Sequence, residues 1–409
     1  MDIVIVGGGD VGTYIATILS KQQHNITLID KNKKYLEEVS SQIDIGTKVG
    51  SGTDWKLLDD LRELSPQLFI TLTGSDEINL TACAIAKHLG YPRTIARVRD
   101  GRFMNRARLD FARLFNVDYF ISPELLVAHD ILKIMFSPAS LTVESFAHGA
   151  VQLRTLLVPQ KWKYAKKTLK NLQVPNNVMI GLIRRQSTII FPHGDDFLLP
   201  GDEVTFIGET EPIEKIHHFL GLKENEMKSV TIIGGSLTGF NLAKLLQARN
   251  IPIKLIEKDY ERCQELAEKL PKCTIINHNA ADVDFLLEEK ICGSDILVTC
   301  TQNDEINLVI AQLAKETGCK DAIVMLSNLS YAPLVEKLGF HHVVSPRISA
   351  ANHIFSQLFS GKVSSLVTLY DNQAEILEII VSQDSKAAGV PISELGPYLP
   401  NDLLIAMIQ

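Results

Sequence analysis

The sequence has little or none of several features that mark particular classes of protein. No apolar run approaches the roughly 20 residues of a membrane-spanning helix, so any link to a membrane has to go through a partner. The net charge is −7, whereas a general nucleic-acid-binding protein usually carries a strongly basic domain. No nucleic-acid partner is therefore expected. The start shows no signal-peptide pattern, which predicts a cytoplasmic protein.

Cysteine is scarce and lacks the spacing of a redox or zinc motif. The six cysteines contain no C-x-x-C pair, and we interpret them as reduced thiols in a protein core. They are Cys83, Cys263, Cys273, Cys292, Cys300 and Cys319.

A glycine-rich turn is the most informative feature near the start of the chain. It follows the apolar run from Ile3 to Val6, which is typical of a buried parallel strand, and it precedes an amphipathic helical pattern. Gly7, Gly9 and Gly12 fit G-x-G-x-x-G, and a second strand ends at Asp30, roughly 20 residues further on. Together these elements predict a Rossmann-type dinucleotide site.

Each residue of this motif has its own expected role. Gly7 allows the tight turn out of the strand, Gly9 lets a pyrophosphate approach the backbone, and Gly12 lets the helix lie close to the sheet. Free N–H groups at the helix N-terminus favour phosphate. Asp30 can accept hydrogen bonds from a ribose, which favours NAD over NADP. The alternative is a Rossmann-like unit whose loop binds nothing.

Strands and helices alternate onward to Ile121, which predicts a parallel sheet with helices on both faces. The expected strands are Ile45 to Val49, Leu68 to Leu72, Thr94 to Val98 and Asn116 to Ile121. The expected helices are Lys33 to Gln42, one ending near Leu89, and one carrying Arg102, Arg106, Arg108 and Arg113.

The second half of the chain repeats the first. Val230 to Ile233 is an expected strand before Gly234-Gly235-Ser236-Leu237-Thr238-Gly239, and the next strand ends in an acid, Glu257. Asp304-Glu305-Ile306-Asn307 repeats Asp76-Glu77-Ile78-Asn79, and Ser345-Pro346 repeats Ser122-Pro123. The order and offsets agree, so we predict an α/β protein with two tandem Rossmann-like domains.

A helix and a small α+β lobe are expected after each copy. The helix Glu124 to Phe136 is apolar on more than one face, so part of it packs either on another lobe or chain or in an ordinary intramolecular core. The strands expected in the first lobe are Leu141 to Phe146, Val151 to Val158, Met179 to Arg184 and Glu203 to Ile207. The second lobe follows a helix from Ser349 to Phe359, has strands near Leu366 and from Ile376 to Val381, and looks incomplete.

This arrangement resembles the TrkA family, the cytosolic regulatory subunits of bacterial Trk potassium uptake, whose units are also called RCK or KTN domains. The residues that carry the resemblance are Gly7 to Gly12 with Asp30, Gly50 to Asp54, Thr73 to Asn79, Ile95 to Arg99 and Ser122 to Glu124. It implies Rossmann-like RCK N-domains at 1–122 and 228–346, crossover helices at 123–139 and 347–361, and TrkA-C-type lobes at 140–222 and, truncated, at 362–409.

The resemblance also implies a function. A ring of such chains lies on the inner face of the cell membrane, peripherally bound to a Trk-type membrane potassium channel subunit, and NAD(H) or ATP/ADP changes its shape and so the potassium flux. In the first copy the implied ligand contacts are Gly7, Gly9, Asp10 and Val11 at the pyrophosphate, Asp30 at the ribose, Ser51 and Gly52 near the adenine, and Thr73, Gly74 and Arg97 over the ligand. Gly8 and Gly12 belong to the same site. In the second copy they are Gly234, Ser236, Leu237, Gly239, Glu257 and Thr301.

The second copy departs from the family pattern at three places. Ser236 stands in place of the middle glycine, Asn279 to Asp282 replaces Gly50 to Asp54, and Met325 or Leu326 lies near the position of Arg97. Whether this copy binds a ligand is left open by the sequence.

The main alternative function is an NAD-dependent oxidoreductase. Such an enzyme needs a positioned acid/base or a metal besides the cofactor, and neither lobe offers a convincing set. Asp76-Glu77 and Asp304-Glu305 are better explained as acids at helix N-termini. The pairs His217-His218 and His341-His342 are expected at the surface or an interface, because adjacent side chains diverge and no third ligand has zinc-like spacing. No catalytic or metal site is predicted.

Overall fold

A computed structural model describes residues 1–137, 139–186, 188–222, 229–288, 291–319, 321–340, 342–358, 363–369, 374–385, 387–395 and 403–408. The side chain of Cys292, residue His341, the end of the second predicted crossover helix at 359–361 and much of the second predicted lobe lie outside the described part. Within it, no helix is long and apolar enough to cross a membrane.

The first unit is a parallel sheet of six strands in the order β3-β2-β1-β4-β5-β6. The strands are β1 (Asp2–Val6), β2 (Asn25–Asp30), β3 (Gly46–Val49), β4 (Leu68–Thr71), β5 (Thr94–Arg97) and β6 (Tyr119–Ile121). The helices are α1 (Asp10–Lys21), α2 (Lys33–Gln42), α3 (Trp55–Asp60), α4 (Asp76–His88) and α5 (Phe111–Leu114). This is the predicted Rossmann-like order, and it reverses between β1 and β4, where such folds bind their ligands.

An antiparallel lobe follows the helix α6 (Pro123–Met135). Its sheet has the order β10-β9-β11-β8-β7, and two short helices close it. The elements are β7 (Ser140–Phe146), β8 (Val151–Leu157), β9 (Val178–Arg185), β10 (Thr188–Ile190), β11 (Glu203–Glu209), α7 (Thr210–Glu214) and α8 (Ile216–Phe219).

The second unit repeats the first, with the strand order β14-β13-β12-β15-β16-β17. Its strands are β12 (Val230–Ile233), β13 (Ile253–Glu257), β14 (Cys273–Asn277), β15 (Ile296–Thr299), β16 (Ala322–Met325) and β17 (His342–Val344). Its helices are α9 (Leu237–Gln247), α10 (Tyr260–Lys269), α11 (Val283–Glu288), α12 (Asp304–Glu316), α13 (Ala332–Lys337) and α14 (Pro346–Leu358). The hairpin β18 (Val363–Leu369) and β19 (Ala374–Ile379) follows.

The two long helices after the sheets are exchanged between the two units. Val127, Ala128 and Ile131 of α6 are fully buried in one cluster with the core of the second sheet. Ile354 and Phe355 of α14 are buried in one cluster with the core of the first sheet. The extra apolar surface predicted for α6 therefore packs on another part of the same chain, and the two halves are interlocked.

The prediction of one helix carrying four arginines was wrong. The arginines from Arg102 to Arg113 do not share a helix, since the chain there forms a 3-10 turn (Gly101–Met104), a loop and the short α5. The side chains of Asp100, Asn105 and Asp110 accept hydrogen bonds from nearby backbone N–H groups, and such local bonds compete with a continuous helix.

The histidine prediction was wrong at the positions that the structure describes as buried. His217 and His342 are only 6% and 4% exposed. Nδ1 of His217 lies 3.0 Å from the Glu214 carbonyl oxygen. Among the described residues, no group of three or more His, Cys, Asp or Glu could hold a metal ion.

Candidate functional site

The glycine loop lies directly after β1, at the point where the strand order reverses. Gly7 has φ +101°, and a Cβ there would lie 2.8 Å from the Thr73 nitrogen. A Cβ at Gly12 would lie 1.9 Å from the carbonyl oxygen of Gly7. These two positions therefore require glycine for the turn itself and for the close approach of α1.

Gly9 differs from its neighbours because no described residue crowds it. A Cβ at Gly9 would meet no atom of the described residues within 4 Å, although Gly9 is the N-cap residue of α1. Gly9 has no side chain to cap this helix, and among the described residues no side-chain cap bond is made at its N-terminus. An uncapped helix N-terminus beside open space can receive an anionic group.

The Asp30 carboxylate at the end of β2 is held by backbone N–H groups. Its Oδ2 accepts a hydrogen bond of 2.7 Å from Gly8, and its Oδ1 accepts one of 2.8 Å from Asn32. A carboxylate has about four lone-pair positions, so Asp30 can brace the glycine loop and still accept a hydroxyl hydrogen. The bracing was not foreseen from the sequence.

The loop after β3 lies against the end of β1. A Cβ at Gly52 would come within 2.3 Å of Cγ1 of Val6, and the Ser51 hydroxyl lies 2.9 Å from that of Thr53. Asp54 caps α3 by accepting hydrogen bonds from Lys56 and Leu57. The structure thus brings Ser51 and Gly52 to the same sheet edge as the glycine loop.

Asn79 connects the ends of β4 and β5. Its Oδ1 accepts hydrogen bonds from the Thr73 nitrogen (3.0 Å) and the Thr73 hydroxyl (2.7 Å), while its Nδ2 donates to the carbonyls of Thr73 and Arg97. The side chain is fully buried. Asn79 therefore sets the positions of two residues that were predicted to close over the ligand.

Asp76 makes a second connection between the same elements. Its carboxylate accepts hydrogen bonds from the backbone N–H groups of Arg99 and Asp100 at 2.9–3.0 Å, and the residue is 8% exposed. In the second unit, Asn307 and Asp304 make the corresponding bonds. Sequence reasoning missed this bracing role, although the identical four residues in both copies were a signal for it.

An ion pair links the site to α6. Arg97 Nη2 donates to Glu124 Oε1, and the two side chains are 14% and 13% exposed. Glu124 lies in the first turn of α6, which packs on the second unit. A ligand that engages Arg97 would therefore act on a helix shared between the halves.

The second glycine loop requires glycine at the same two positions as the first, but its other side chains differ. Gly234 has φ +103°, and a Cβ at Gly239 would lie 2.1 Å from the Gly234 carbonyl oxygen. Glu257 accepts a hydrogen bond of 2.7 Å from Gly235, as Asp30 does from Gly8. Thr301 corresponds to Thr73 and bonds to Asn307.

Ser236 stands in the second loop at the position that Gly9 has in the first. Its hydroxyl donates a hydrogen bond of 2.6 Å to the Cys300 carbonyl and accepts one from Gly239. The side chain thereby bridges the loop and the end of β15, where the first loop is open. Leu237 replaces Asp10 as the first residue of the helix, and Met325 replaces Arg97.

The cysteines near the sheets are poor nucleophiles. Burial raises the pKa of the Cys83, Cys273 and Cys300 thiols to about 12. The thiolate is the reactive form, so these groups stay protonated and inert near neutral pH.

Comparisons with known proteins match this architecture. Residues 3–123 and 230–346 each match the TrkA-N domain, and residues 153–221 match the TrkA-C domain. The whole chain is 30% identical to Trk system potassium uptake protein TrkA homolog 1 of Methanosarcina mazei and spans 92% of it. It is 31% identical to Trk system potassium uptake protein TrkA of Haemophilus influenzae and spans 90% of that protein, again with its whole length aligned.

A solved channel structure has the same fold. The GsuK channel bound to NAD aligns with 87% of this chain at a TM-score of 0.65 and 17% identity. This chain spans 63% of the length of that channel chain.

Proposed function

We propose a function on the premise that this chain belongs to the TrkA family, as its full-length relatives show. It is the regulatory subunit of a Trk-type potassium uptake system, and it binds a nucleotide in the first unit. The observation that carries this assignment is the open, uncapped loop at Gly9, facing the end of β1 beside the Asp30 carboxylate.

The ligand class follows from the chemistry of the site. An uncapped helix N-terminus suits a pyrophosphate, and a carboxylate at the end of β2 suits a ribose. These groups fit NAD(H) and also ATP or ADP, and the related fold of the GsuK channel was solved with NAD. We assign Gly7, Gly8, Gly9, Asp10, Val11, Gly12, Asp30, Ser51, Gly52, Thr73, Gly74 and Arg97 to this site.

The proposed regulation is a change of shape. A ligand shifts a conformational equilibrium only by its difference in affinity for the two states. The ion pair between Arg97 and Glu124 provides such a difference, because a phosphate that takes Arg97 competes with the start of α6. Since α6 packs on the second sheet, a displacement of α6 on ligand binding is transmitted to the second half of the chain.

Location and assembly are part of the same proposal. The chain assembles into a ring of RCK domains on the cytoplasmic face of the cell membrane and binds a Trk-type potassium channel subunit there. We divide it into N-domains at 1–122 and 228–346, crossover helices at 123–139 and 347–361, and lobes at 140–222 and 362–409.

Asp30→Ala tests the first site. We expect NADH affinity to fall roughly 10- to 100-fold, about 1.4 to 2.8 kcal/mol, because a charged hydrogen bond to ribose and the brace of Gly8 are both lost. Isothermal titration of the full chain measures this.

The matched control is Glu257→Ala, which removes the corresponding brace in the second unit and should leave the tight NADH site unchanged. Equal affinities of Asp30→Ala and the unmodified chain would remove Asp30 from the site. Oxidation of NADH by aldehydes, or reduction of NAD by hydroxy acids or amino acids, at ordinary enzyme rates would favour the oxidoreductase alternative over a regulator without a reaction.

The second loop, with Gly234, Ser236, Leu237, Gly239, Glu257 and Thr301, is proposed as the weaker site. Ser236→Gly should open it and add a second bound NADH per chain, because the bridge to the Cys300 carbonyl is removed. Stoichiometry from equilibrium dialysis checks this expectation. In the double variant with Asp30→Ala the new site should remain while the first site is weakened as in Asp30→Ala alone, and a stoichiometry unchanged by Ser236→Gly would contradict the blocking role.

A further inference from the structure

An arginine from the second half of the chain reaches the glycine loop of the first half. Nη2 of Arg347 lies 3.1 Å from Oδ1 of Asp10. Arg347 is in the first turn of α14, and Asp10 is the first residue of α1. The exchange of the long helices therefore places a cation of one unit at the mouth of the other unit's nucleotide site.

Arg347 has hydrogen-bonding capacity that Asp10 does not use. Its Nε is buried and has no hydrogen-bond partner among the described residues. Its side chain is 21% exposed, whereas that of Asp10 is 71% exposed. A guanidinium has five N–H donors in a planar fork suited to phosphate, and the Arg347 guanidinium at the start of α1 still has an Nε donor with no partner in the described part of the chain while its Nη2 pairs with Asp10.

A cation beside Asp10 also offsets the negative charges expected at the start of α1. The Asp10 carboxylate lies beside the uncapped start of α1, where a pyrophosphate is expected, and two like charges at this spacing repel each other. Arg347 offsets that repulsion. In the first copy the residue after Ser-Pro is Glu124, an acid that pairs with Arg97, so the two crossover helices carry opposite charges at corresponding positions.

We propose that Arg347 is a ligand contact of the first site, donated by the second half, that binds the pyrophosphate when a dinucleotide is present. Through it, occupancy of the first site acts on α14 as well as on α6. This inference rests on the proposed function, because it assigns a regulatory contact to the same nucleotide site.

The test compares NADH dissociation constants of full-length variants by isothermal titration. Arg347→Gln should weaken NADH binding at least tenfold. Asp10→Asn removes the charge that pairs with Arg347 and serves as the background for the second comparison. In that background Arg347→Gln should still weaken NADH binding several-fold. If the double variant equals Asp10→Asn, Arg347 acts only by neutralising Asp10, and the proposed contact is wrong.

Arg93→Gln is the matched control for loosened packing of α14. Arg93 of the first unit donates to the Gln357 carbonyl near the other end of this helix, away from the glycine loop. The NADH dissociation constant of the Arg93→Gln variant should lie within about twofold of that of the unmodified chain. Equal losses in Arg93→Gln and Arg347→Gln would show that helix docking, and no phosphate contact, explains the effect.

Hydrogen exchange gives a second readout. NADH should slow amide exchange in α14 of the unmodified chain and of Arg93→Gln, but not of Arg347→Gln at saturating NADH. If the unmodified chain binds neither NADH nor ADP, the proposed function fails and this inference with it. If it binds NADH and Arg347→Gln binds equally well, only the inference fails.

Discussion

Replacing Gly9 by alanine should weaken NADH binding at least tenfold, about 1.4 kcal/mol, while the folded state keeps its stability. The new methyl group would meet no atom of the described part of the chain within 4 Å, and φ −58° at this position suits any residue. The same methyl group would stand where the pyrophosphate has to approach the backbone. Titration with NADH and urea unfolding measure the two effects separately.

Gly12→Ala is the contrasting variant in the same loop. Its Cβ would lie 1.9 Å from the Gly7 carbonyl oxygen, so α1 has to move and stability should fall by about 3 kcal/mol, the upper range for overpacking. Gly239→Ala, with a contact of 2.1 Å, should behave alike in the second unit. A stable Gly9→Ala chain that binds NADH normally would place the phosphate elsewhere.

Asn79→Ala should lower the free energy of unfolding by about 3 kcal/mol. The substitution removes a fully buried amide and leaves the N–H and hydroxyl of Thr73 and the carbonyl of Arg97 without this partner. Each buried polar group left unpaired costs about 1–3 kcal/mol. Urea unfolding of the full chain measures the loss.

Asn307→Ala is the internal control because Asn307 makes the corresponding bonds in the second unit. Both variants should be destabilised to a similar extent, but only Asn79→Ala should weaken NADH binding, since Thr73 and Arg97 belong to the proposed first site. A large NADH effect from Asn307→Ala alone would reverse the proposed ranking of the two sites.

Local sequence patterns predicted much of this architecture because their causes are local. The apolar run at Ile3 to Val6, the glycine spacing and the acid at Asp30 depend on neighbouring residues only, and the strand, helix and second strand that they predict are present as β1, α1 and β2. The helix predicted to carry the arginines from Arg102 to Arg113 is absent for an equally local reason. The side chains of Asp100, Asn105 and Asp110 accept hydrogen bonds from the backbone there and so compete with a helix.

By itself the sequence determined the duplicated α/β plan and the position of the glycine loop, because these follow from periodicity and spacing along the chain. Only the tertiary structure decided that α6 and α14 are exchanged between the units, that Ser236 bridges to the Cys300 carbonyl, and that Arg347 meets Asp10. Such contacts join residues far apart in the chain, and their partners are chosen by the packing of whole elements, which no short pattern records.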